Sequence, residues 1–380
     1  MIYLDNGATS WPKPQEVKLI MNEALDSGGN PGRGGHGVSM EAARSVYRVR
    51  ELLSKIFGIN KPTRVVFTSN ATQAINTALF GILKSGDHVI TSSLEHNAVT
   101  RPLNVLENRG VKVTRISGRS GNEFSLEEYA AAFRDNTKLV VTLHASNISG
   151  VLLPVEQIGE IARGKGVPYL LDAAQTAGVY PLDLNSLPVD ILAFPGHKGL
   201  LGPQGTGGLV IGDNCSLRPF IYGGTGSLSE LDSQPDFLPD ALESGTLNGV
   251  GIAGLGGGVK YLLAQGMDNV RKREQQLCQS LIDGLLHIPG VKLYGGTDAA
   301  TKAPIVAFNL GEIDSMIVGD MLDEEYGIIS RAGLHCAPHA HRMLGTIEQG
   351  VVRLSPSHFT TEVEIGETLK AVAKVSKELL

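Results

Sequence analysis

Between Val65 and Ile211 the chain alternates short, β-branched apolar runs with longer stretches of helical periodicity. Val65-Val-Phe67 precedes a helix from Thr72, and His88-Val-Ile-Thr91 precedes one near Ala98. Val111 to Ile116 precedes one from Ser125, Leu139 to Leu143 one near Pro154, and Tyr169 to Leu171, Ile191 to Phe194 and Leu209 to Ile211 complete the strands. Strands of this kind are buried on both faces, so the pattern predicts an α/β fold with a mostly parallel sheet sandwiched by helices. Pro12 and Pro14 precede a first amphipathic helix, Gln15 to Leu25, and Ser39-Met-Glu41 opens a longer one through Val46, Val49, Leu52, Leu53 and Ile56. After Asn248 the rhythm changes. Leu255, Val259 and Leu262, then Leu277, Leu281 and Leu285, mark helices. Strands are expected at Ile305 to Leu310, Ile328 to Ser330 and Val351 to Leu354, around a helix from Ser315 to Tyr326, with a last helix from Thr361 to Leu379. A chain of 380 residues is expected to divide. Residues 16–255 form the expected large domain, and 1–15 with 256–380 a smaller α+β domain.

In open parallel sheets ligands bind at the C-terminal strand ends. Asp172 ends one such run in Leu170-Leu-Asp-Ala-Ala-Gln175, and Lys198 follows another in Phe194-Pro-Gly-His-Lys198-Gly. An amine able to form a Schiff base, and a carboxylate able to keep a ring nitrogen protonated, are what an aldehyde cofactor needs, which points to pyridoxal phosphate. Alone, Asp172 would read as a helix N-cap; Gln175 and the Gly-His-Lys turn favour the cofactor. Ser69-Asn-Ala71-Thr72-Gln73 opens a helix after a strand and can cradle the phosphate with free N–H groups and a hydroxyl, or be an ordinary cap. His96, in Glu95-His96-Asn97, can stack on a pyridine ring and shuttle protons, or be a surface histidine capped by its neighbours.

Arg353, in Val351-Val-Arg-Leu, is costly to bury unless it meets an anion, and its fork suits a substrate carboxylate; an exposed edge position is the other reading. In Arg331-Ala-Gly-Leu-His335-Cys336-Ala-Pro338-His-Ala-His341 the basic neighbours favour a thiolate, making Cys336 a candidate nucleophile. A metal site from Cys336, His339 and His341 competes, with spacing that fits no standard zinc pattern. Cys278 reads as core and Cys215 as a loop residue without a role. The segment from Gly159 to Gly166 imitates a phosphate-binding loop but lacks the Ser/Thr, and the glycines from Gly249 to Gly258 never produce a dinucleotide fingerprint.

A net charge of −6 without a Lys/Arg block argues against nucleic acid or anionic membrane as a partner. No apolar run approaches ~18 residues, so no membrane span or signal peptide is read. Three cysteines, scattered and odd in number, argue for a reducing compartment, and a cytoplasmic location is expected.

These motifs, from Tyr3-Leu-Asp-Asn-Gly-Ala-Thr9 to the Arg353 strand, resemble the cysteine desulfurase family of class V aminotransferases. The short Arg331-x-Gly-x-His-Cys336 loop is similar to the branch holding sulfur-mobilisation desulfurases and selenocysteine lyases. The resemblance implies a fold-type-I pyridoxal-phosphate architecture, a homodimer with sites at the interface, and L-cysteine as substrate. Selenocysteine or cystine are the alternatives. A sulfur-acceptor protein and a place in sulfur metabolism such as iron–sulfur cluster assembly are also implied. It implies Lys198 as the Schiff-base lysine, Asp172 on the pyridinium nitrogen, Gln175 on the ring hydroxyl and His96 stacked on the ring. Thr72 and His197 would hold the phosphate beside Ala71, with Thr246 reaching it from the partner subunit. Asn147 and Arg353 would bind the substrate carboxylate, with Arg331 nearby and Arg33 crossing the interface, and Cys336 would take the sulfur as a persulfide. Pro195, Leu334, His339 and His341 depart from the usual pattern.

Overall fold

The strands between Val65 and Ile211 assemble into one seven-stranded sheet. In the computed structural model, which describes residues 1–32, 34–118 and 124–380, its order is Val65–Thr68, Gly207–Ile211, Ile191–Pro195, Tyr169–Asp172, Thr137–Leu143, His88–Ser92, Lys112–Ile116. All strands run parallel except Gly207–Ile211, which is antiparallel to both neighbours. The strands Tyr169–Asp172, Ile191–Pro195 and Gly207–Ile211 are buried at every position, as their unbroken apolar runs require when helices cover both faces. The sheet's two faces carry separate cores, one with Phe57, Phe67, Tyr169 and Phe194, the other with Ile75, Leu79, Val89 and Leu103.

A second, antiparallel sheet has the order Arg331–Gly333, Val351–Leu354, Val306–Leu310, Val291–Tyr294. Its core gathers Leu281, Phe308, Val318, Val352 and Val372 with Leu4 from the N-terminal segment. Ile2–Tyr3 pairs parallel with Ile328–Ile329, tying the chain's start to this unit. The junction expected between 255 and 256 falls inside the helix Gly249–Gln265, whose Leu255, Val259 and Leu262 pack with the large sheet; the change of core comes within the next helix, Met267–Leu286. The strands Val291–Tyr294 and Arg331–Gly333 and the helix Pro338–Leu344 have no counterpart in the sequence reading. Both strands are short, only partly buried and paired on one side, so they carry little periodic signal.

The glycines of Gly249–Gln265 find their reason in packing. A Cβ on Gly258 would lie 2.4 Å from the Leu200 carbonyl oxygen, and one on Gly257 would lie 3.1 Å from Val17 Cα. Each glycine in a helix interior costs up to about 1 kcal/mol relative to alanine. That cost is accepted where it lets one helix lie directly on the helix Gln15–Ser27 and on the turn that follows Lys198.

One buried ion pair ties the helix Gly37–Phe57 to the sheet. Both Arg50 and Glu243 are nearly excluded from solvent, and the guanidinium Nη1 donates to Glu243 Oε1 at 2.8 Å and also to the Val65 carbonyl. Glu243 further accepts the Phe67 N–H. Removing one partner strands the other charge. Glu243→Ala is therefore expected to cost about 3–5 kcal/mol, read as a lower urea midpoint; a drop worth under about 1 kcal/mol would show that the pair carries no such constraint.

Candidate active site

Five strand ends converge on a cavity of about 230 Å³. After Val65–Thr68 the chain turns at Asn70, whose side chain accepts the Gln73 N–H at 2.9 Å and starts the helix Ala71–Ile82. The N–H groups of Ala71 and Thr72 and the Thr72 hydroxyl make no hydrogen bond among the described residues, and both residues line the cavity. Unpaired donors at the start of a helix form an anion cradle. Opposite, His197 Nδ1 faces Thr9 Oγ1 at 3.1 Å, and its backbone carbonyl accepts the Lys13 ammonium at 2.8 Å. Burial first, then the Lys198 and Lys13 charges, lower His197 to about 4, so it is neutral at pH 7.

Asp172 ends its strand in the cavity wall, 4% exposed, with Oδ1 accepting the Ala174 N–H at 2.9 Å. Burial raises its pKa, against the pull of that hydrogen bond and of Lys198. Lys198 lines the same cavity, and its Nζ makes no hydrogen bond among the described residues. Burial, reinforced by the Arg353 charge and opposed by Asp172, lowers this amine to about 8. Gln175 lines the cavity and donates to the Gly7 carbonyl at 3.2 Å. His96 lines it too, its Nδ1 accepting the Ala98 N–H at 3.0 Å; burial, then Lys198, lowers it to about 4. It is thus at once a helix cap and a cavity residue. An unpaired amine, a facing carboxylate, a neutral imidazole and an open anion cradle are the donor set that pyridoxal phosphate requires, and these residues fit it.

Arg353 is wholly buried, in a strand flanked on both sides, which sets aside the exposed-edge reading. Its Nη2 meets Asp5 Oδ1 at 2.6 Å and its Nη1 donates to the Asn147 carbonyl at 2.8 Å, while Nε has no partner among the described residues. Asn147 lines the cavity and its Nδ2 donates to the His335 carbonyl at 2.7 Å. Cys336 is exposed, with Arg331 Nη2 4.0 Å from Sγ, and its carbonyl accepts the Asn97 N–H at 2.8 Å, immediately after His96. Beneath the loop His335 is buried, its ring stacked 6.0 Å from that of His341; burial, then Arg353 and Arg331, lowers His335 to about 2.

Ala71, Thr72, His96, Asn147, Asp172, Gln175, His197 and Lys198 are therefore brought together in one cavity, with Arg353 behind Asn147 and Cys336 beside His96. Thr246 is not: it lines a separate cleft with Arg48 and the start of Gly249–Gln265. Arg33 lies outside the described residues. No cluster of three or more His, Cys, Asp or Glu side chains among the described residues is placed to hold a metal ion; His341 turns its Nδ1 to Thr346 Oγ1 at 2.8 Å while Cys336 faces out. Cys278 is buried in the core of the second sheet. Asp5 was missed as a site residue, because its tie to Arg353 spans almost the whole chain. Glu95, 2% exposed, holds the Leu143 N–H at 3.1 Å, and burial raises it to about 8, so it is protonated at neutral pH and adds no second charge beside Asp172. No helix among the described residues is long and apolar enough to cross a membrane.

The class-V aminotransferase family matches residues 2–367. A probable cysteine desulfurase of Methanothermobacter thermautotrophicus is 34% identical over 98% of this chain and 94% of its own length. The cysteine desulfurase IscS of Serratia proteamaculans is 32% identical, covering 98% and 92%. The apo structure of a cysteine desulfurase from Thermococcus onnurineus superposes with a TM-score of 0.91 at 31% identity, over 100% of this chain and 95% of that one.

A lysine attacks a carbonyl only as the neutral amine. With Lys198 at about 8, capture of pyridoxal phosphate by the cofactor-free protein is expected to rise about tenfold per pH unit below pH 8 and to level off above it. Borohydride-trapped adduct on Lys198 measures this; a rate still climbing steeply past pH 9 would show an ordinary lysine.

Proposed function

The chain belongs to the cysteine desulfurase family of class-V aminotransferases, and on that premise we propose that it converts L-cysteine to L-alanine and retains the sulfur as a persulfide on Cys336. The observation that carries this reading is the convergence of an unpaired Lys198 amine and Asp172 in one cavity, with Cys336 anchored at its wall through Asn97. Pyridoxal phosphate, when bound, supplies a carbonyl that captures the substrate amine and a ring that draws electrons from Cα.

Lys198 is the amine that holds the cofactor and then the base that takes the Cα proton. A pKa near the working pH lets one group do both. Asp172, itself almost wholly buried, would keep a proton on the ring nitrogen of the bound cofactor. His96 would lie against the ring and Gln175 would meet its hydroxyl, and the open N–H groups of Ala71 and Thr72, with the Thr72 hydroxyl and His197, would hold the phosphate. The unpartnered Nε of Arg353 and the Asn147 carboxamide receive the substrate carboxylate. A planar, always-charged fork gives that carboxylate one orientation. Asp5 holds the fork in place, and its negative charge offsets the cost of burying Arg353. Cys336 and Arg331 share the exposed loop, where the thiolate meets the substrate sulfur and later a soluble acceptor. The reading includes a homodimer in which Thr246, and Arg33 from the Gly-rich segment, serve the neighbouring protomer's site, and a cytoplasmic setting in keeping with free thiols.

Lys198→Ala is expected to abolish alanine formation, with a loss of at least about a thousandfold. Cys336→Ala is expected to leave the cofactor's absorption intact but to remove the protein-bound persulfide. Alanine and sulfide assays on the purified protein check both. Wild-type alanine production by the Cys336 variant would remove the nucleophile from the reading, and pyruvate in place of alanine would make the reaction a β-elimination.

A further inference from the structure

The loop that carries Cys336 is held in a conformation that its own residues disfavour. His335 and Cys336 both have left-handed backbones, with φ of +50° and +58°, although neither is a glycine. Two hydrogen bonds from outside the loop hold it there. The Asn97 N–H, at the start of the helix Asn97–Asn108, reaches the Cys336 carbonyl at 2.8 Å. The Asn147 Nδ2 reaches the His335 carbonyl at 2.7 Å.

Asn147 is 6% exposed, and it is incompletely used. A carboxamide has two N–H donors and two acceptor lone pairs. One N–H is spent on His335; the second N–H and the whole of Oδ1 have no partner among the described residues. Its backbone carbonyl is fixed by Arg353 Nη1, and the Nε of that same arginine is likewise buried and unpaired. An unpaired guanidinium N–H beside an amide in the cavity wall that still has one N–H to give suits an anionic group.

We propose that the Asn147 carboxamide is a positioning residue shared by both sides of the sulfur transfer: one N–H holds the Cys336 loop through the His335 carbonyl, and the other takes the substrate carboxylate. The inference rests on the reading that the cavity accepts an amino acid, and adds to it that substrate and nucleophile are registered against each other through one planar group. A ligand carboxylate that fixes the amide then also stiffens the loop, so the thiol is best ordered when substrate is bound. Arg353, held by Asp5, supplies the charge; Asn147 supplies the register.

The test is hydrogen exchange, followed by mass spectrometry, of the segment 331–338 in the cofactor-loaded enzyme, first without ligand and then with saturating L-alanine, which carries the carboxylate and no sulfur. Without ligand, exchange in Asn147→Ala is expected to exceed wild type by about fivefold, the factor that one ordinary hydrogen bond carries. Asn147→Asp, which keeps the shape but cannot donate, is expected to match it and decides the matter if the alanine variant folds poorly. Alanine is expected to slow exchange in wild type and in neither variant. Ligand-free exchange in the variants equal to wild type would overturn the shared role, and a raised KM for cysteine alongside it would leave Asn147 as a substrate contact alone. A wild-type protein that does not turn over cysteine would refute the desulfurase reading, while the ligand-free comparison would still decide whether Asn147 holds the loop.

Discussion

A lysine amine with no hydrogen-bond partner, sunk among strand ends beside a carboxylate, is expensive to maintain, and the architecture is organised around maintaining it. Burial alone would push the proton off Lys198; Asp172 draws it back and Arg353 pushes it away again. The result is an amine lowered to about 8. Arg353 is in turn tolerable in the interior because Asp5 accompanies it. Glu95 sits protonated near Asp172, so the interior holds its charges close to balance rather than accumulating one sign.

The site joins residues at strand ends to one exposed loop. Asp172 ends a strand of the central sheet and is held in its ladder, and His96, Asn147 and Lys198 lie within four residues of the ends of three others. The N-terminal segment closes the other side: Thr9, Ser10 and Lys13 bond the Lys198 turn, and Gly7 accepts from Gln175 while its N–H meets Ser355. A Cβ on Gly7 would lie 3.1 Å from Arg353 Cζ, so the same segment must pass close over the guanidinium. Of these candidate site residues Cys336 stands on an exposed loop, which suits the proposed role of a thiol that takes sulfur in the cavity and passes it on in solution.

Much of this was legible in the sequence because it is written locally. Unbroken apolar runs gave the sheet, and a polar residue directly after such a run gave Asp172, His96 and Lys198 as residues at its ligand-binding edge. What escaped was written in distant pairings. Nothing near Asp5 announces Arg353, and nothing in Ile2–Tyr3 announces Ile328–Ile329. The edge strand Arg331–Gly333 is three residues long and only partly buried, so no periodicity marks it. The helix Pro338–Leu344 did carry a cue, a proline at its first position, but its histidines drew attention to metal chemistry instead. The glycine-rich helix Gly249–Gln265, within which the division of the chain is expected, packs Leu255, Val259 and Leu262 with the large sheet.

That stretch has a consequence for how the protein can change. Exchanging glycine for alanine is a common route to a more heat-resistant helix. Here the route is closed at Gly258, where a methyl group would lie 2.4 Å from the Leu200 carbonyl oxygen and would displace the turn that follows Lys198, and it is tight at Gly257 against the backbone of Gln15–Ser27. Thermal robustness in this scaffold must come from elsewhere, for example Gly366 on the last helix, where an added methyl meets nothing.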